Sequence, residues 1–377
     1  MKTKKIILSI ALIVMCVMIL ITASGCSFIL FSSIGSLVNR DWAEVTKDGI
    51  CYFISKMSSD AAVMYFESDR TLGDGELQRC VIPETVRYRG RNYPVTEIGR
   101  YSYNDYSIIK GSAKIGELVL PRTMEYVSLQ YYNDLDTLKS ITVDEYNGRY
   151  ASVDGVLFSL NKLYMKYYPL GKTDETYTLP RQFEQVDNDA RFWDNRYLQN
   201  LNIEEGSKLY SSHDGVLYSA DGSKLMMYPS GRRAETFTAP QDMKCISLDS
   251  HFWNNRYITK VASVEGGYLQ AVDNALYTHD GSELVFRPSA NGKTFAIPST
   301  VSVVSYNSLP GVENLHVPSS VIVFLDTLVD SSYPFNRISH IYFESDELPR
   351  YLQQQPFSGQ LRFGVTREAF DSLTDTL

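Results

Sequence analysis

Cysteine and histidine are scarce in this chain of 377 residues, and neither occurs in a pattern typical of metal sites. None of the five cysteines belongs to a Cys-x-x-Cys pair, the spacing of many zinc and thiol redox sites. The five histidines, from His213 to His340, show no His-x-x-x-His spacing that would place two rings on one helix face. The sequence therefore predicts no metal site.

Motifs of catalysis and of cofactor binding are missing as well. The chain contains no Gly-x-Ser-x-Gly nucleophile elbow, no phosphate-binding loop and no dinucleotide fingerprint. Adjacent carboxylates such as Glu204 and Glu205 have no visible partner that would separate their pKa values, as glycoside hydrolysis requires. We predict neither a catalytic residue nor a cofactor, and we expect that the protein is not an enzyme.

Basic residues are outnumbered, because 36 Lys and Arg stand against 44 Asp and Glu and give a formal net charge of −8. A surface that binds nucleic acid needs the opposite balance, since its affinity for the phosphate backbone comes from lysine and arginine. Nucleic acid is therefore not an expected partner.

The N-terminus has a basic start followed by a long apolar run. Lysines at positions 2, 4 and 5 precede the segment 6–39, which carries no charged residue and has the polarity of a secretory signal. The sequence Ala23-Ser-Gly-Cys26 resembles a bacterial lipobox, which implies that Cys26 is lipidated and becomes the mature N-terminus. An uncleaved transmembrane helix of about 20 residues is the alternative.

Both interpretations place the bulk of the chain outside the cytoplasm, in a bacterial cell envelope, anchored to the membrane through an N-terminal lipid or helix. Residues 1–25 are predicted to be the signal peptide or anchor, and residues 26–48 a membrane-proximal linker. In an exported protein Cys51 and Cys80 either form a disulfide or are small buried side chains, and Cys245 is unpaired in both cases.

A repeat with a period of 60 residues dominates the middle of the chain. The stretch Tyr150-Ala-Ser-Val-Asp-Gly-Val-Leu-Phe returns as Tyr210-Ser-Ser-His-Asp-Gly-Val-Leu-Tyr, and Asp273-Asn-Ala-Leu-Tyr begins a more divergent third copy. Such a fixed period is typical of stacked units, each of which buries its apolar face on the next. Four further pairs share the offset: Asp154 and Asp214, Pro169 and Pro229, Pro180 and Pro240, Trp193 and Trp253.

Each copy contains two strand-like apolar runs around a turn signal. In the second copy they are 216–219 and 224–228, separated by Asp221-Gly222, and we predict a β-hairpin with a tight turn of the primed type there. The remainder of each copy consists of short strands about twenty residues apart, which suggests the coils of a solenoid.

These features resemble BspA-type leucine-rich-repeat proteins of bacterial surfaces. The resemblance rests on Leu118-Val-Leu-Pro121, on Leu315-His-Val-Pro318 and on the Tyr-x-Ser-x-Asp-Gly-Val-Leu module. It implies a mainly β fold, namely a leucine-rich-repeat-like solenoid with inserted β-hairpins, and a role in cell-surface adhesion or recognition. We expect an N-terminal β cap over 49–89, the solenoid over 90–323 and a C-terminal cap over 324–377, with Thr366 as the N-cap of a terminal helix.

The repeated segments 192–197 and 252–257 provide the candidate binding residues, because Trp, Tyr and Arg dominate binding hot spots. We expect them either to contact an extracellular protein or glycan or, alternatively, to fill the core with aromatic rings while the arginines cap loop carbonyls. The candidates are Trp193, Arg196, Tyr197, Trp253, Arg256 and Tyr257.

The sequence thus favours a surface-anchored repeat protein for adhesion or recognition. Two other classes stay open at this point. One is a structural envelope protein without a specific ligand, and the other is an extracellular glycan- or peptide-active enzyme, which would need a catalytic pair that the sequence does not reveal.

Overall fold

The computed structural model describes residues 42–67, 77–99, 109–110, 114–130, 135–305, 308–325, 338–350 and 360–374. The predicted mainly β fold is confirmed, with 44% strand and 7% helix. The predicted signal peptide or anchor, Cys26 and most of the predicted linker lie outside these residues. In the described part of the chain no helix is long and apolar enough to span a bilayer.

The described residues form two compact units. The first comprises the described residues before 76 and those within 81–113 and 120–134, and the second comprises 77–80, 114–119 and the residues from 135 onward. Strands are numbered along the whole chain, and each unit is described by itself.

The first unit contains a seven-stranded sheet. Its first three strands are antiparallel neighbours, whereas the third strand pairs in parallel with the sixth, Ala61 opposite Val95, and the sixth in parallel with the ninth, Ile98 opposite Val127. Buried side chains such as Ile54 come from this sheet. The strands are β1 (Trp42–Lys47), β2 (Ile50–Ser55), β3 (Asp60–Glu67), β5 (Thr85–Tyr88), β6 (Arg91–Ile98), β7 (Ile109–Lys110) and β9 (Tyr126–Val127).

Two details of this unit differ from the sequence prediction. Strand β1 occupies residues that we assigned to the linker 26–48, because Asp48 and Gly49 both have positive φ and form a two-residue turn that folds β1 onto β2. The hairpin of β5 and β6 turns at Arg89 and Gly90, with φ of 48° and 81°, one residue earlier than the turn that the sequence Gly90-Arg91-Asn92 predicts. The apolar runs 49–54 and 61–66 predict two strands, and both are confirmed as β2 and β3.

The second unit repeats a three-stranded antiparallel meander three times. The last strand of each meander pairs in parallel with a strand of two residues, for example Leu225 opposite Ile246. The strands are β11 (Tyr150–Val153), β12 (Val156–Ser159), β13 (Tyr164–Tyr167) and β15 (Gln185–Val186) in the first copy, β17 (Tyr210–His213), β18 (Val216–Ser219), β19 (Lys224–Met227) and β21 (Cys245–Ile246) in the second, and β23 (Leu269–Val272), β24 (Ala275–Thr278), β25 (Glu283–Phe286), β27 (Val303–Val304) and β29 (Val323–Phe324) in the third.

The inserted hairpin is therefore one strand longer than predicted, and its tight turn lies elsewhere. Asp214 and Gly215, with φ of 49° and 69°, form the two-residue turn between β17 and β18, and Asp154 occupies the equivalent turn of the first copy. The predicted turn at Asp221 is a wider loop, because the Asp221 carboxylate accepts hydrogen bonds from the Ser219 hydroxyl and the Ser223 backbone N–H.

Parallel ladders connect successive coils of the second unit and define a β-solenoid. Thr176 lies opposite Asn200 in the first copy and Thr236 opposite Lys260 in the second, so the offset of 60 recurs in the strand pairing. Two of these sheets have two strands each: β14 (Thr176–Leu179) with β16 (Asn200–Ile203), and β20 (Thr236–Ala239) with β22 (Lys260–Ser263). A third sheet contains β26 (Thr294–Ala296), β28 (Asn314–Val317), β30 (His340–Phe343) and β31 (Gln360–Arg362). A separate three-stranded sheet consists of β4 (Leu77–Val81), β8 (Lys114–Leu120) and β10 (Ser140–Val143).

The ladder continues beyond residue 323, where we predicted the C-terminal cap to begin. Ile341 lies opposite Leu315 and is buried as Leu315 is, so β30 and β31 extend the parallel ladder. The chain then forms α1 (Arg367–Thr374), and the Thr366 hydroxyl accepts a 3.3 Å hydrogen bond from the Ala369 N–H, which confirms the predicted N-cap. In the described residues, four short 3-10 helices also occur: Phe192–Asp194, Leu248–Ser250, Phe252–Asn254 and Ser289–Asn291.

The core of the second unit contains one apolar cluster per copy. In the first cluster the rings of Tyr168 and Phe192 meet edge to face at 5.3 Å, and in the second Tyr228 and Phe252 do the same at 5.1 Å. This repeated aromatic packing explains the high tyrosine and phenylalanine content.

Cys51, Cys80 and Cys245 are free thiols, and burial raises the pKa of Cys80 to about 12.

Candidate functional site

Five loops of the second unit lie in series and position the predicted Arg-Tyr segments. A Cβ atom on Gly171 would lie 2.6 Å from the Thr137 carbonyl carbon, and one on Gly231 would lie 2.7 Å from the Arg196 carbonyl oxygen. The backbones of these loops are therefore in direct contact. We call the series the loop ladder: residues 136–137, 171–172, 195–197, 231–233 and 255–257.

Two equivalent asparagines connect the rungs of the loop ladder. Asn195 is buried, and its Nδ2 donates to the carbonyl oxygens of Pro169, Leu170 and Lys172 at 3.2, 3.3 and 2.9 Å. Its Oδ1 accepts from the backbone N–H groups of Tyr197 and Leu198 at 2.9 Å each. All polar positions of this amide are thus satisfied, as a buried polar group requires.

Asn255 repeats this arrangement 60 residues later. Its Nδ2 donates to the Arg232 carbonyl oxygen at 2.8 Å, and its Oδ1 accepts from the N–H groups of Tyr257 and Ile258. We did not predict this role. The available signal was that asparagine is kept at this position, while the preceding residue changes from Asp194 to Asn254.

Exposed arginine and tyrosine side chains project from three successive rungs. Arg196, Arg233 and Arg256 are exposed, and Tyr197 retains 47% of its accessible surface. We call these residues, together with Tyr257, the Arg–Tyr patch. Arg233 was not predicted, although the second copy carries Arg232-Arg233 where the first has Lys172-Thr173.

None of the three patch arginines forms an ion pair with a described carboxylate, whereas the neighbouring Arg232 pairs with Asp214 at 2.6 Å. The guanidinium of Arg256 lies 5.3 Å from the centre of the Tyr257 ring, and its Nη2 donates to the Tyr257 hydroxyl at 3.4 Å. This hydrogen bond, with the positive charges of Arg256, Arg233 and Arg196, lowers the pKa of Tyr257 from its ordinary value.

The fold does not require arginine and tyrosine at these positions. The rung one period before Arg196 and Tyr197 carries Asp136 and Thr137, and its backbone contacts Gly171 as the Arg196 rung contacts Gly231. Since the coil is formed with either pair, the Arg–Tyr patch is a property of the second half of the loop ladder and not a packing requirement.

The two tryptophans are half buried, unlike the patch arginines. Trp193 packs on Phe192 at 4.7 Å and stacks on the ring of His251 at 4.1 Å with an interplanar angle of 13°. Trp253 of the second copy packs against Phe286 of the third copy, with 6.3 Å between the ring centres. Both indoles belong to the margin of the core clusters, as the packing alternative predicted for aromatic rings.

Trp193 also lines a cleft with a volume of about 370 Å³, together with Tyr210, Met226 and His251. Carboxylate side chains also line this cleft, and one of them, Asp187, forms an ion pair with Lys166 at 2.6 Å. Within the described ranges no group of three or more His, Cys, Asp or Glu side chains is placed to hold a metal ion.

No protein-family model matches the chain, and no curated protein sequence matches it. Among solved structures it is similar to a leucine-rich cell surface protein from Faecalibacterium prausnitzii A2-165, with 14% identity and a TM-score of 0.38 over 87% of this chain and 97% of that one. It is also similar to the pneumococcal vaccine antigen PcpA, with 15% identity and a TM-score of 0.38 over 85% of this chain and 98% of that one.

A third similar structure is a leucine-rich repeat protein from Bacteroides ovatus ATCC 8483, with 12% identity and a TM-score of 0.35 over 85% of this chain and 76% of that one. These similar structures include leucine-rich repeat proteins, the class that the sequence motifs resemble. The β-solenoid itself follows from the strand pairing described above.

Proposed function

We propose that this chain is an exported, membrane-anchored protein of a bacterial cell envelope that binds an extracellular protein or glycan through the Arg–Tyr patch. One observation carries the proposal: three exposed arginines without carboxylate partners stand beside two tyrosines on neighbouring loops of a rigid scaffold. The buried amide of Asn195 and the half-buried amide of Asn255 hold these loops, so little conformational entropy is lost when a ligand binds.

The half-buried tryptophans have a supporting role in this proposal. They fix the 3-10 turns that precede the patch, since Trp193 and Trp253 each lie in such a turn immediately before Asn195 or Asn255. The patch residues Arg196, Tyr197 and Tyr257 are then the contact residues, and Trp193 contacts a ligand only if that ligand enters the neighbouring cleft.

The test compares two variants of the full chain displayed on bacterial cells. The patch variant combines Arg196→Ala, Arg233→Ala and Arg256→Ala, and the control variant removes the same charge at other exposed sites by combining Arg149→Ala, Arg181→Ala and Lys208→Ala. We expect the patch variant to lose adhesion to immobilised host matrix proteins or glycans, and the control variant to keep it.

Each alternative function has its own outcome. Equal adhesion of wild type and patch variant contradicts the proposed surface, and absence of adhesion to every immobilised material favours a structural envelope protein. Turnover of a glycan or peptide by the wild type favours the enzyme. Membrane anchoring is tested separately, because Cys26→Ser abolishes fatty-acid incorporation in a lipoprotein and leaves an uncleaved helical anchor in the membrane.

A further inference from the structure

We infer that the ligand of the Arg–Tyr patch is a linear anionic polysaccharide that carries sulfate or carboxylate groups at regular intervals and lies across successive rungs of the loop ladder. The inference rests on the proposed function and specifies its ligand. Three properties of the patch support it: its uncompensated charge, the position of this charge on successive rungs, and the tyrosine rings beside the arginines.

The charge of the patch is opposite to that of the chain. The formal net charge is −8, yet no described carboxylate pairs with Arg196, Arg233 or Arg256. On an acidic protein a solvent-exposed arginine usually finds a carboxylate at modest gain. Three neighbouring arginines without one form a local positive surface, and such a surface binds anionic ligands by charge neutralisation and release of their counterions.

The arrangement of the arginines favours a linear ligand over a small anion. Arg196 and Arg233 belong to rungs whose backbones touch at Gly231, and Arg256 belongs to the next rung, bonded through Asn255 to Arg232. The three arginines therefore follow one another on consecutive rungs that are in contact or joined by a hydrogen bond. A single sulfate reaches one or two of them, whereas a chain with repeated anionic groups reaches all three.

The side chains beside the arginines suit a sugar. Tyr197 and Tyr257 follow Arg196 and Arg256 in sequence, and Tyr197 is 47% exposed. Aromatic faces pack on the C–H face of pyranose rings, while guanidinium groups donate two parallel hydrogen bonds to sulfate or carboxylate. An alternation of arginine and tyrosine therefore matches an alternation of anionic group and ring.

An acidic protein is the less suitable partner. Stable protein interfaces have a desolvated, apolar centre, commonly a side chain that enters a pocket. The cleft at Trp193 is not lined by any residue of the Arg–Tyr patch. The patch offers charge and two rings on an open surface, which a flexible polyanion uses better than a protein with fixed shape.

The experiment measures binding of the full chain, purified in detergent, to heparin, chondroitin sulfate, hyaluronan, desulfated heparin, polyglutamate and single-stranded DNA over a range of salt concentrations. We expect heparin or another anionic glycan to bind, with an affinity that falls as salt rises. Preference for heparin over hyaluronan assigns the anionic group to sulfate, and the reverse preference assigns it to carboxylate.

The variants decide whether the patch is responsible. The patch variant is expected to bind the anionic glycan about tenfold more weakly and to show a flatter salt dependence, whereas the control variant with the same net charge binds within about twofold of wild type. Asp136→Arg adds a guanidinium to the rung 136–137, and we expect it to strengthen binding about twofold to fivefold. Asp136 is exposed, so this substitution does not disturb the core.

Distinct results overturn the inference. If polyglutamate or DNA binds as tightly as the anionic glycans do, and the patch variant loses as much affinity for them, then the patch has no preference for sugar. Binding of a neutral glycan or a matrix protein through the patch, without binding of any anionic glycan, defeats the inference and preserves the proposed function. Absence of binding to all of these materials and to matrix proteins defeats both.

Discussion

The side-chain amide of Asn255 donates a 2.8 Å hydrogen bond to the carbonyl oxygen of Arg232 and so connects two rungs of the loop ladder. Asn195 makes the equivalent bond to Lys172 at 2.9 Å, one period earlier. In both copies the same amide also accepts from two backbone N–H groups of its own loop. The conformation of the loops that display the patch therefore depends on two side-chain amides, of which that of Asn195 is buried and that of Asn255 is half buried.

Replacing Asn195 by alanine is expected to destabilise the protein by about 2–4 kcal/mol, because three carbonyl oxygens and two N–H groups lose their partner in a buried place. Asn195→Asp keeps the acceptor and loses the donor, so its effect should also be large. The free energy of unfolding in urea measures both. Asn188→Ala, at an exposed position, is the control and should change this free energy by less than about 0.5 kcal/mol. Equal effects at positions 188 and 195 would contradict the bracing role.

Gly171 and Gly231 are required by the close approach of neighbouring rungs. A methyl group at either position would lie 2.6 Å from backbone atoms of the adjacent loop, and backbone cannot move aside as a flexible side chain can. We expect Gly171→Ala and Gly231→Ala each to lower the free energy of unfolding by about 1–3 kcal/mol.

Gly148 provides the matched control, because a Cβ atom there meets nothing within 4 Å. Gly148→Ala should be neutral or stabilise by up to about 1 kcal/mol, since alanine reduces the entropy of the unfolded chain. If all three alanine variants unfold at the same urea concentration, the space between neighbouring rungs accommodates a methyl group, and the close approach does not require glycine.

The repeat was predictable from sequence because it depends on local chemistry, although its tight turn was predicted at Asp221 and lies at Asp214. Asp154 and Asp214 share an offset of 60, and both occupy the first position of a two-residue turn with positive φ. Aspartate and glycine tolerate this backbone region, and the pattern Asp-Gly-Val-Leu of the first two copies becomes Asp-Asn-Ala-Leu in the third. The same local logic indicated the hairpin around Asp221 and the helix cap at Thr366.

Other features were missed because they depend on contacts between distant residues. The first strand of the first meander, Tyr150–Val153, is half buried throughout and shows no alternation of buried and exposed residues. The roles of Asn195 and Arg233 depend on rungs more than twenty residues away, which no local period reveals. The coils after residue 323 were assigned to a cap because the period of 60 ends there, although parallel pairing continues to Arg362.

The stacked pair of Trp193 and His251 should make stability depend on pH. Burial lowers the pKa of His251 below its ordinary value of 6.5, although the charges of Asp249 and Asp194 oppose this shift. The unfolded chain therefore binds a proton at a higher pH than the native protein does. The stabilisation is present in full above pH 6.5 and decreases as the pH falls below it.

Unfolding free energies measured from pH 8 down to pH 5 test this dependence. His251→Asn keeps a residue type that tolerates the positive φ of 53° at this position, and it should remove part of the slope between pH 6.5 and pH 5. His213→Asn, at an exposed position, should leave the slope as in wild type. A slope unchanged by His251→Asn would assign the pH dependence to other groups.

Arg287 provides the last prediction, because it occupies the position of Tyr168 and Tyr228 in the third copy and is only 1% exposed. Its Nη2 donates to the carbonyl oxygens of Asn291 and Gly292, and its guanidinium lies 4.9 Å from the centre of the Phe295 ring. Arg287→Ala should lower the free energy of unfolding by about 2–4 kcal/mol, since it creates a cavity and leaves these carbonyls unpaired.

Arg287→Tyr restores the side chain of the other two copies and is expected to be less destabilising than Arg287→Ala, because the ring fills the volume even though the carbonyls lose their donor. Burial already lowers the pKa of Arg287 to about 10, which shows that the site disfavours charge. Urea unfolding of the two variants decides the matter. If tyrosine is worse than alanine, the third copy has adapted its core to arginine, and the hydrogen bonds to the 291–292 carbonyls contribute more to stability than the packing does.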